Sequence, residues 1–343
     1  MRLLQAMAGA EVGGAEAFFV RLAIAFAAAG IEQRVVIRRD SVRARALRSG
    51  GVDPLELPFG GRMDFRTRPA LQREIDRYKP NIVLSWMSRA SWATPKSDRP
   101  GGYKLIARLG GYYDLKYYRH CDYLIGNTED IVSHIAGQGF DRDRIVYLPN
   151  FVHPPKRPKA SRIGFDTPLD VPLLLAMGRL HENKAFDVLL RALQELPDTW
   201  LWIAGEGPEA ANLSRQASQL GVADRVRFLG WRDDSDALMQ ACDIFVCPSR
   251  QEPLGNIVLE AWAAQKPVVA AAAAGPRSLI GDNVAGVIVP VDDALALTAG
   301  VRSLIDDPAN AARLAVEGYR RYEESYTEDA VVAQYREFFE RVA

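Results

Sequence analysis

Cysteine is scarce in this sequence. Three residues, Cys121, Cys242 and Cys247, cannot build a disulfide framework, so the chain reads as one made for a reducing compartment. Its four histidines, His120, His134, His153 and His181, show no zinc-ligand spacing, and Cys242 and Cys247 lie in what reads as a buried strand. Asp234-Ser235-Asp236 has the spacing of metal ligands, but it also falls where an N-cap belongs, before a helix over Ser235–Ala241. The cap is the reading adopted, and no metal is expected. Long apolar runs are missing as well. The run at 23–30 is too short to span a bilayer and follows Arg21, and the opening Arg2–Met7 is too short for a signal-peptide core. A cytoplasmic protein is therefore expected, soluble or peripheral at the inner membrane. There is no solenoid repeat, no G-x-S-x-G and no G-K-[ST] loop. Aromatic and basic residues do not interleave as a base-stacking platform would, which argues against nucleic acid.

What is present is ordinary globular material. The 343 residues are 48% apolar and 25% charged, enough for two domains with a core each. The 43 basic and 43 acidic residues cancel but are unevenly placed. Residues 1–160 hold 26 Lys and Arg against 16 Asp and Glu, and residues 161–343 hold 17 against 27. Either the halves complement each other, or the N-terminal half meets an anionic partner such as a phosphorylated lipid or an acidic leaflet. Most of the excess is Arg, the better bidentate phosphate binder.

Short apolar runs alternate with amphipathic stretches throughout. Strands are expected at Arg2–Met7, Gln33–Ile37, Asp53–Leu57, Asn81–Ser85, Lys104–Leu109 and Tyr123–Gly126, with helices at Ala15–Ala29, Arg68–Tyr78 and Glu129–Gln138. A proline-rich stretch then interrupts, and the alternation restarts at Leu173–Met177. It continues through strands at Trp200–Ala204, Arg227–Leu229, Ile244–Cys247, Val268–Ala272 and Val287–Val289, with helices at Phe186–Leu196, Glu209–Leu220, Ser235–Ala241, Ile257–Ala264 and Ala294–Ile305, and ends in helices near 309–324 and 328–342. This rhythm predicts an α/β fold: a doubly wound parallel-sheet domain over 1–155, a linker over 156–172, a second such domain over 173–325, and a closing helix over 326–343 that packs back toward the first.

Four motifs carry chemistry, each with a bland alternative. Gly13 and Gly14, in the first strand-to-helix loop, suit either an anion at a helix N-terminus or a tight turn. Arg179 and Lys184, five residues apart after Leu173–Met177, can grip one diphosphate or be solvated loop cations. Gly205-Glu206-Gly207-Pro208-Glu209-Ala210 partly matches the dinucleotide fingerprint, though Pro208 is equally a helix-start proline. Most informative is Glu252-Pro253-Leu254-Gly255-Asn256 followed by Glu260: two carboxylates and a helix start gathered at one strand end, where backbone N–H groups suit a phosphate and a carboxylate suits ribose hydroxyls.

In this order the motifs resemble the retaining glycosyltransferases of the GT-B fold, family 4. The resemblance covers essentially the whole chain and is strongest over 173–291: GRLHENKAFDVLLRAL, WIAGEGPE, VRFLGWRDD, ACDIFVCPS and EPLGNIVLEAWAAQKPVVA. Glu252 to Glu260 matches the family's E-x7-E, and Asp187 its G-R-L-x-x-x-K-G-x-D, with Ala185 in place of the usual Gly. The resemblance implies two Rossmann-like domains facing across a cleft. It implies Arg179 and Lys184 on the diphosphate of a nucleotide-sugar, and Glu260 on the ribose. Glu252 with Leu254, Gly255 and Asn256 would face sugar and phosphates. Gly13 and Gly14 would approach from the other domain. The base would lie near Gly205, Glu206, Gly207, Trp231 and Arg232. The acceptor-domain His of many members is absent from 108–114, and Arg108, Tyr112 and Tyr113 are taken from position as acceptor-binding.

The expected reaction is retaining and metal-independent, with a UDP-sugar favoured over GDP- or ADP-sugars as donor and no cofactor. The acceptor expected is an anionic or lipid-linked envelope glycan, as in lipopolysaccharide assembly, met at the inner face of the cytoplasmic membrane. An NAD-dependent oxidoreductase built on Gly205–Ala210, with Asp233 as the acid after the next strand, and a non-catalytic binding protein of the same fold are the alternatives. The oligomeric state is left open.

Overall fold

The computed structural model describes residues 1–11, 13–61, 64–97, 102–281 and 283–343. It divides into two compact units, one formed by Met1–Asn150 with Glu328–Ala343, the other by Phe151–Thr327.

Unit 1 runs β1 (Leu3–Met7), α1 (Gly14–Ala28), β2 (Gln33–Arg38), α2 (Ser41–Ser49), β3 (Leu55–Leu57), α3 (Thr67–Tyr78) and β4 (Ile82–Trp86). It continues with α4 (Met87–Ala93), β5 (Lys104–Leu109), β6 (Tyr123–Gly126), α5 (Glu129–Gly137) and β7 (Ile145–Tyr147). The strands form one sheet in the order β3-β2-β1-β4-β5-β6-β7, every pair parallel. Helices cover both faces of such a sheet, so its central strands are enclosed on both sides and mostly apolar, and the polar Gln5 and Ser85 within them are hydrogen-bonded. Accordingly β1 and β4 are buried at every position.

Unit 2 repeats the plan with β8 (Leu173–Met177), α6 (Phe186–Gln194), β9 (Trp200–Ala204), α7 (Ala210–Gln219), β10 (Val226–Gly230), α8 (Ser235–Ala241) and β11 (Ile244–Cys247). Then come α9 (Asn256–Ala263), β12 (Val268–Ala271), α10 (Ala274–Ile280), β13 (Val287–Val289), α11 (Ala294–Asp306) and α12 (Pro308–Ser325). The last helix, α13 (Glu328–Val342), belongs to unit 1. The second sheet is also parallel, in the order β10-β9-β8-β11-β12-β13. One face is packed by Leu189, Leu193, Val301 and Leu304, the other by Trp202, Phe245, Trp262 and Tyr322.

Both sheets reverse direction beside their first strand, between β1 and β4 and between β8 and β11. In open sheets of this kind ligands bind outside the carboxyl ends of the strands at that reversal.

The expected strands and helices are found to within two residues at each end. Four elements lie outside the sequence reading. The α2 helix is rich in Arg and buries only Ala44 and Leu47 among its apolar residues, so its period is faint. It forms because the Asp40 carboxylate accepts from the amides of Val42 and Arg43. The α4 and α10 helices are seven residues long, and α10 contains Gly275 and Pro276. The edge strand β7 has three residues. The stretch 156–172 is no loose linker. Ala160 N donates to Ala237 O at 2.9 Å, and the Arg162 guanidinium bonds Ala241 O and Asp243, fastening the prolines to unit 2. Nor does Asp234 cap α8 with its side chain: that carboxylate is held by Arg232. Among the described residues no helix is long and apolar enough to cross a membrane.

Candidate active site

Four loops meet at the carboxyl ends of the unit 2 strands, and together with α9 they carry the donor-site residues picked from the sequence in that unit. The segment after β8 holds Gly178, Arg179 and Lys184; that after β9 holds Gly205, Glu206 and Gly207; that after β10 holds Trp231 and Arg232; that after β11 holds Glu252 to Gly255. A cavity of about 440 Å³ opens among them, lined by Gly178, Arg179, Gly205, Glu206, Trp231, Arg232, Ile257 and Glu260. Its size suits a small-molecule ligand.

The loops are pressed together. A Cβ on Gly205 would lie 1.9 Å from Gly178 O, and one on Gly207 2.2 Å from Leu180 O. These two glycines are therefore required by backbone packing against the neighbouring loop. They do not form the open pyrophosphate cradle of a dinucleotide fingerprint, and α7 starts only at Ala210, after a turn at Pro208.

The charges are arranged unequally. Arg179 is exposed and has no carboxylate partner among the described residues. Lys184 forms an ion pair between its Nζ and Glu252 Oε2, with both side chains largely buried. Glu252 Oε1 also accepts from Gly255 N at 3.4 Å. Gly255, at φ 69°, precedes the first turn of α9, which directs the positive end of its dipole at the same place. Glu260 stands on the fifth residue of α9 and reaches the cavity from one turn down. Trp231 is 76% exposed at the rim, and its amide leans on Glu206 Oε1 at 3.4 Å. Arg232 is engaged twice, in a fork onto Asp234 at 2.8 and 2.6 Å and over the ring of Phe165, so it walls the site rather than offering an unspent cation. Ala185, where the family pattern has Gly, sits at φ 52°, the left-handed region that strains any side chain.

Two residues that hold this arrangement carry no role in the sequence reading. Arg250 forks onto Asp187 at 2.9 and 2.8 Å, contacts Asp292 at 2.5 Å and donates to Glu182 O at 2.6 Å. Its amide and that of Gln251 donate to Asn183 O. It thus staples the Lys184 loop to the Glu252 loop. Burial alone would raise the Asp187 carboxyl, but the Arg250 bonds hold it below its ordinary value. Gly275, on α10, lets the 252–255 backbone pass within contact of that helix, and its amide donates to Glu252 O at 2.8 Å. The acidic motif position at Asp187 was the available signal for the first; the second has none short of the fold.

In unit 1 the sequence reading is revised. Arg108, taken from position as acceptor-binding, is enclosed rather than presented at the surface. It is 3% exposed, donates through Nε to Tyr335 of α13 at 2.8 Å and through Nη2 to Asn150, and lies over Phe18 at 4.6 Å and Trp86 at 4.8 Å. It clamps α13 onto the sheet. Tyr112 is exposed, with its hydroxyl bonded to Asp130 and its ring edge-on to His134. Tyr113 is half-buried, and burial and Glu16 push its hydroxyl pKa up. In the first loop Gly13 faces inward: a Cβ there would lie 2.3 Å from Glu16 Oε2, and Ala10 N already donates to Glu16. Gly14 alone presents an open face.

Comparison with known proteins follows the same division. The model for glycosyl transferases group 1 matches residues 160–321, and that for glycosyltransferase family 4 matches residues 12–155. The lipopolysaccharide core biosynthesis glycosyltransferase LpsE of Rhizobium meliloti (strain 1021) is 35% identical over 335 residues, 94% of each chain. LpsD of the same organism is 33% identical over 348 residues, covering 99% of this chain and 98% of that one. The Anabaena Alr3699/HepE structure, solved with UDP, superposes with a TM-score of 0.85 at 19% identity, over 99% of this chain and all of the other.

Proposed function

This chain belongs to the family 4 glycosyltransferases, which take a sugar from a nucleotide-sugar donor, and from that premise we propose a retaining, metal-independent transfer from a UDP-sugar to a hydroxyl of a lipopolysaccharide-type envelope glycan. The observation that carries the reading is that Arg179, with no carboxylate partner among the described residues, and Glu260 line one cavity at the sheet reversal, while Lys184 runs beside the Gly178 of its wall and pairs with Glu252 just before the α9 start.

The chemistry follows from charge. As the bond from the anomeric carbon to the leaving oxygen breaks, negative charge grows on the diphosphate and the sugar gains oxocarbenium character. Arg179, Lys184 and the α9 amides meet that charge where it appears; losing one such contact costs ~3 kcal/mol, about a hundredfold in rate. In the unliganded protein Glu252 satisfies Lys184, so an arriving diphosphate exchanges places with a carboxylate rather than paying to desolvate a bare ammonium. Glu260 accepts from the ribose hydroxyls, and Trp231 offers its face to the base. We take the front-face route, in which the leaving phosphate accepts the proton of the attacking hydroxyl and no side-chain carboxylate is assigned as a covalent nucleophile.

The names of the Rhizobium relatives support a lipopolysaccharide core acceptor, and the UDP in the Anabaena structure supports uridine. The Arg-rich N-terminal half supports residence against anionic lipid at the cytoplasmic membrane.

Thermal-shift titration with UDP, GDP and ADP tests the donor site: UDP should raise the melting point of the wild type and not of Lys184→Ala. A Lys184→Ala enzyme with wild-type affinity and turnover refutes the assignment. Proton NMR of the product tests stereochemistry, and an anomeric configuration opposite to the donor's refutes retention. Equal binding to neutral and anionic vesicles removes the membrane reading.

A further inference from the structure

Unit 1 holds a cavity of about 390 Å³ that none of the motifs explains. It lies between the segment after β3 and helix α4, both at the carboxyl end of the sheet, where ligands of open parallel sheets bind. Its rim carries two aromatic rings that folding has left in water: Phe65 is 82% exposed and Trp92 44%. Its wall carries two exposed guanidinium groups. Arg68 has no ion pair among the described residues, and Arg89 spends only Nη1, on Phe59 O at 3.1 Å. The one carboxylate on the lining, Asp64, does not neutralise them: it is turned to the Thr67 hydroxyl and to the amides of Gly60, Arg66 and Thr67.

A concave site with aromatic faces and forked cations, and no acid competing for the cations among the described residues, has a definite complement. The C–H face of a sugar ring stacks on an indole, and an Arg fork takes a phosphate in a bidentate grip. An apolar ligand alone would leave both guanidiniums desolvated without a partner, a poor exchange. Resting on the glycosyl-transfer reading above, we propose that the cavity bounded by Phe65, Trp92, Arg68 and Arg89 is a subsite for a phosphorylated saccharide, the anionic part of the acceptor glycan. Unlike Arg108, which is 3% exposed, these side chains are open to a ligand.

The test uses the whole protein and a fluorescently labelled core oligosaccharide released from lipopolysaccharide, before and after phosphatase treatment, followed by anisotropy. The wild type should prefer the phosphorylated form by at least about fivefold. Trp92→Ala and Arg68→Glu, both surface changes, should each weaken it by about tenfold while the UDP-induced thermal shift stays at its wild-type value. Wild-type affinity in both variants overturns the proposal, as does indifference to phosphatase. If the variants lose binding to vesicles of anionic phospholipid yet keep oligosaccharide binding, the patch serves a lipid surface and the proposal falls. A wild type that UDP does not stabilise would instead sink the donor reading, so the two failures are distinguishable.

Discussion

Arg250 touches no expected donor atom, yet its removal should disable the site. In Arg250→Ala the Asp187 carboxylate loses two charge-assisted hydrogen bonds of 2.9 and 2.8 Å and keeps, among the described residues, the Arg191 pair at 3.3 Å and a backbone amide. Asp292 and Glu182 O lose a donor each. A fully buried pair broken this way costs ~3–5 kcal/mol, and an exposed one under ~1 kcal/mol. With the two side chains 28% and 31% exposed, about 2 kcal/mol of global stability is the reasonable figure. The functional loss should be larger than that figure suggests. The lost guanidinium is what joins the Lys184 loop to the Glu252 loop, and a displacement of about 1 Å at such a site costs on the order of a hundredfold. Urea unfolding should therefore show a folded, moderately destabilised protein, whereas calorimetry should show UDP affinity reduced at least about thirtyfold. Arg250→Lys restores charge without the fork and should recover stability better than affinity. If Arg250→Ala binds UDP within about twofold of wild type while losing the expected stability, the staple is merely structural and the reasoning fails.

Four other outcomes follow from the same geometry. Trp231→Ala removes an aromatic face that is 76% exposed, so it should leave the melting point unchanged and weaken UDP by about 1–3 kcal/mol, read by calorimetry; an unchanged affinity places the base elsewhere. Arg108→Ala should do the reverse, lowering stability by about 3 kcal/mol through loss of the Tyr335 and Asn150 bonds and both ring contacts, with UDP binding retained at temperatures where the protein is folded. Burial pushes the thiols of Cys121 and Cys242 up to about 12 and that of Cys247 to about 11; at about pH 8 Ellman's reagent should label the native protein negligibly and all three cysteines after denaturation, and rapid native labelling contradicts that burial. Asp187 is held below its ordinary 3.8, so its contribution to stability is fully present above that pH and is lost as pH falls through the lower folded value; the gap in urea midpoint between wild type and Asp187→Asn should stay constant from about pH 8 to 5 and close only below about 4.

How far the sequence disclosed this protein depended on whether a property is local. The strands of both sheets were legible because a parallel strand covered on both faces is a short apolar run, and β8, β9 and β11 fall where those runs do. The donor loops were legible because their residues follow directly on those runs, as Arg179 and Lys184 follow β8. What failed required knowing which face of the fold a side chain meets. Arg108 ends a strand beside a glycine loop and looks like a ligand from its position, but Tyr335, 227 residues away, turns it into a clamp. Gly205 and Gly207 suggest a phosphate cradle, but the neighbouring loop already fills the space beside them. The cavity at Phe65 and Trp92 has no periodic signature at all, since it is made by residues between β3 and the start of α3 and by helix α4, which chain order separates and the sheet brings together. The same distinction explains why Glu252 was legible and Arg250 was not. A motif marks the residue whose chemistry the ligand demands, whereas the residue that holds two motifs in register is specified only by the distance between them in the folded chain, and that distance is where the stability and the function of this site are most tightly coupled.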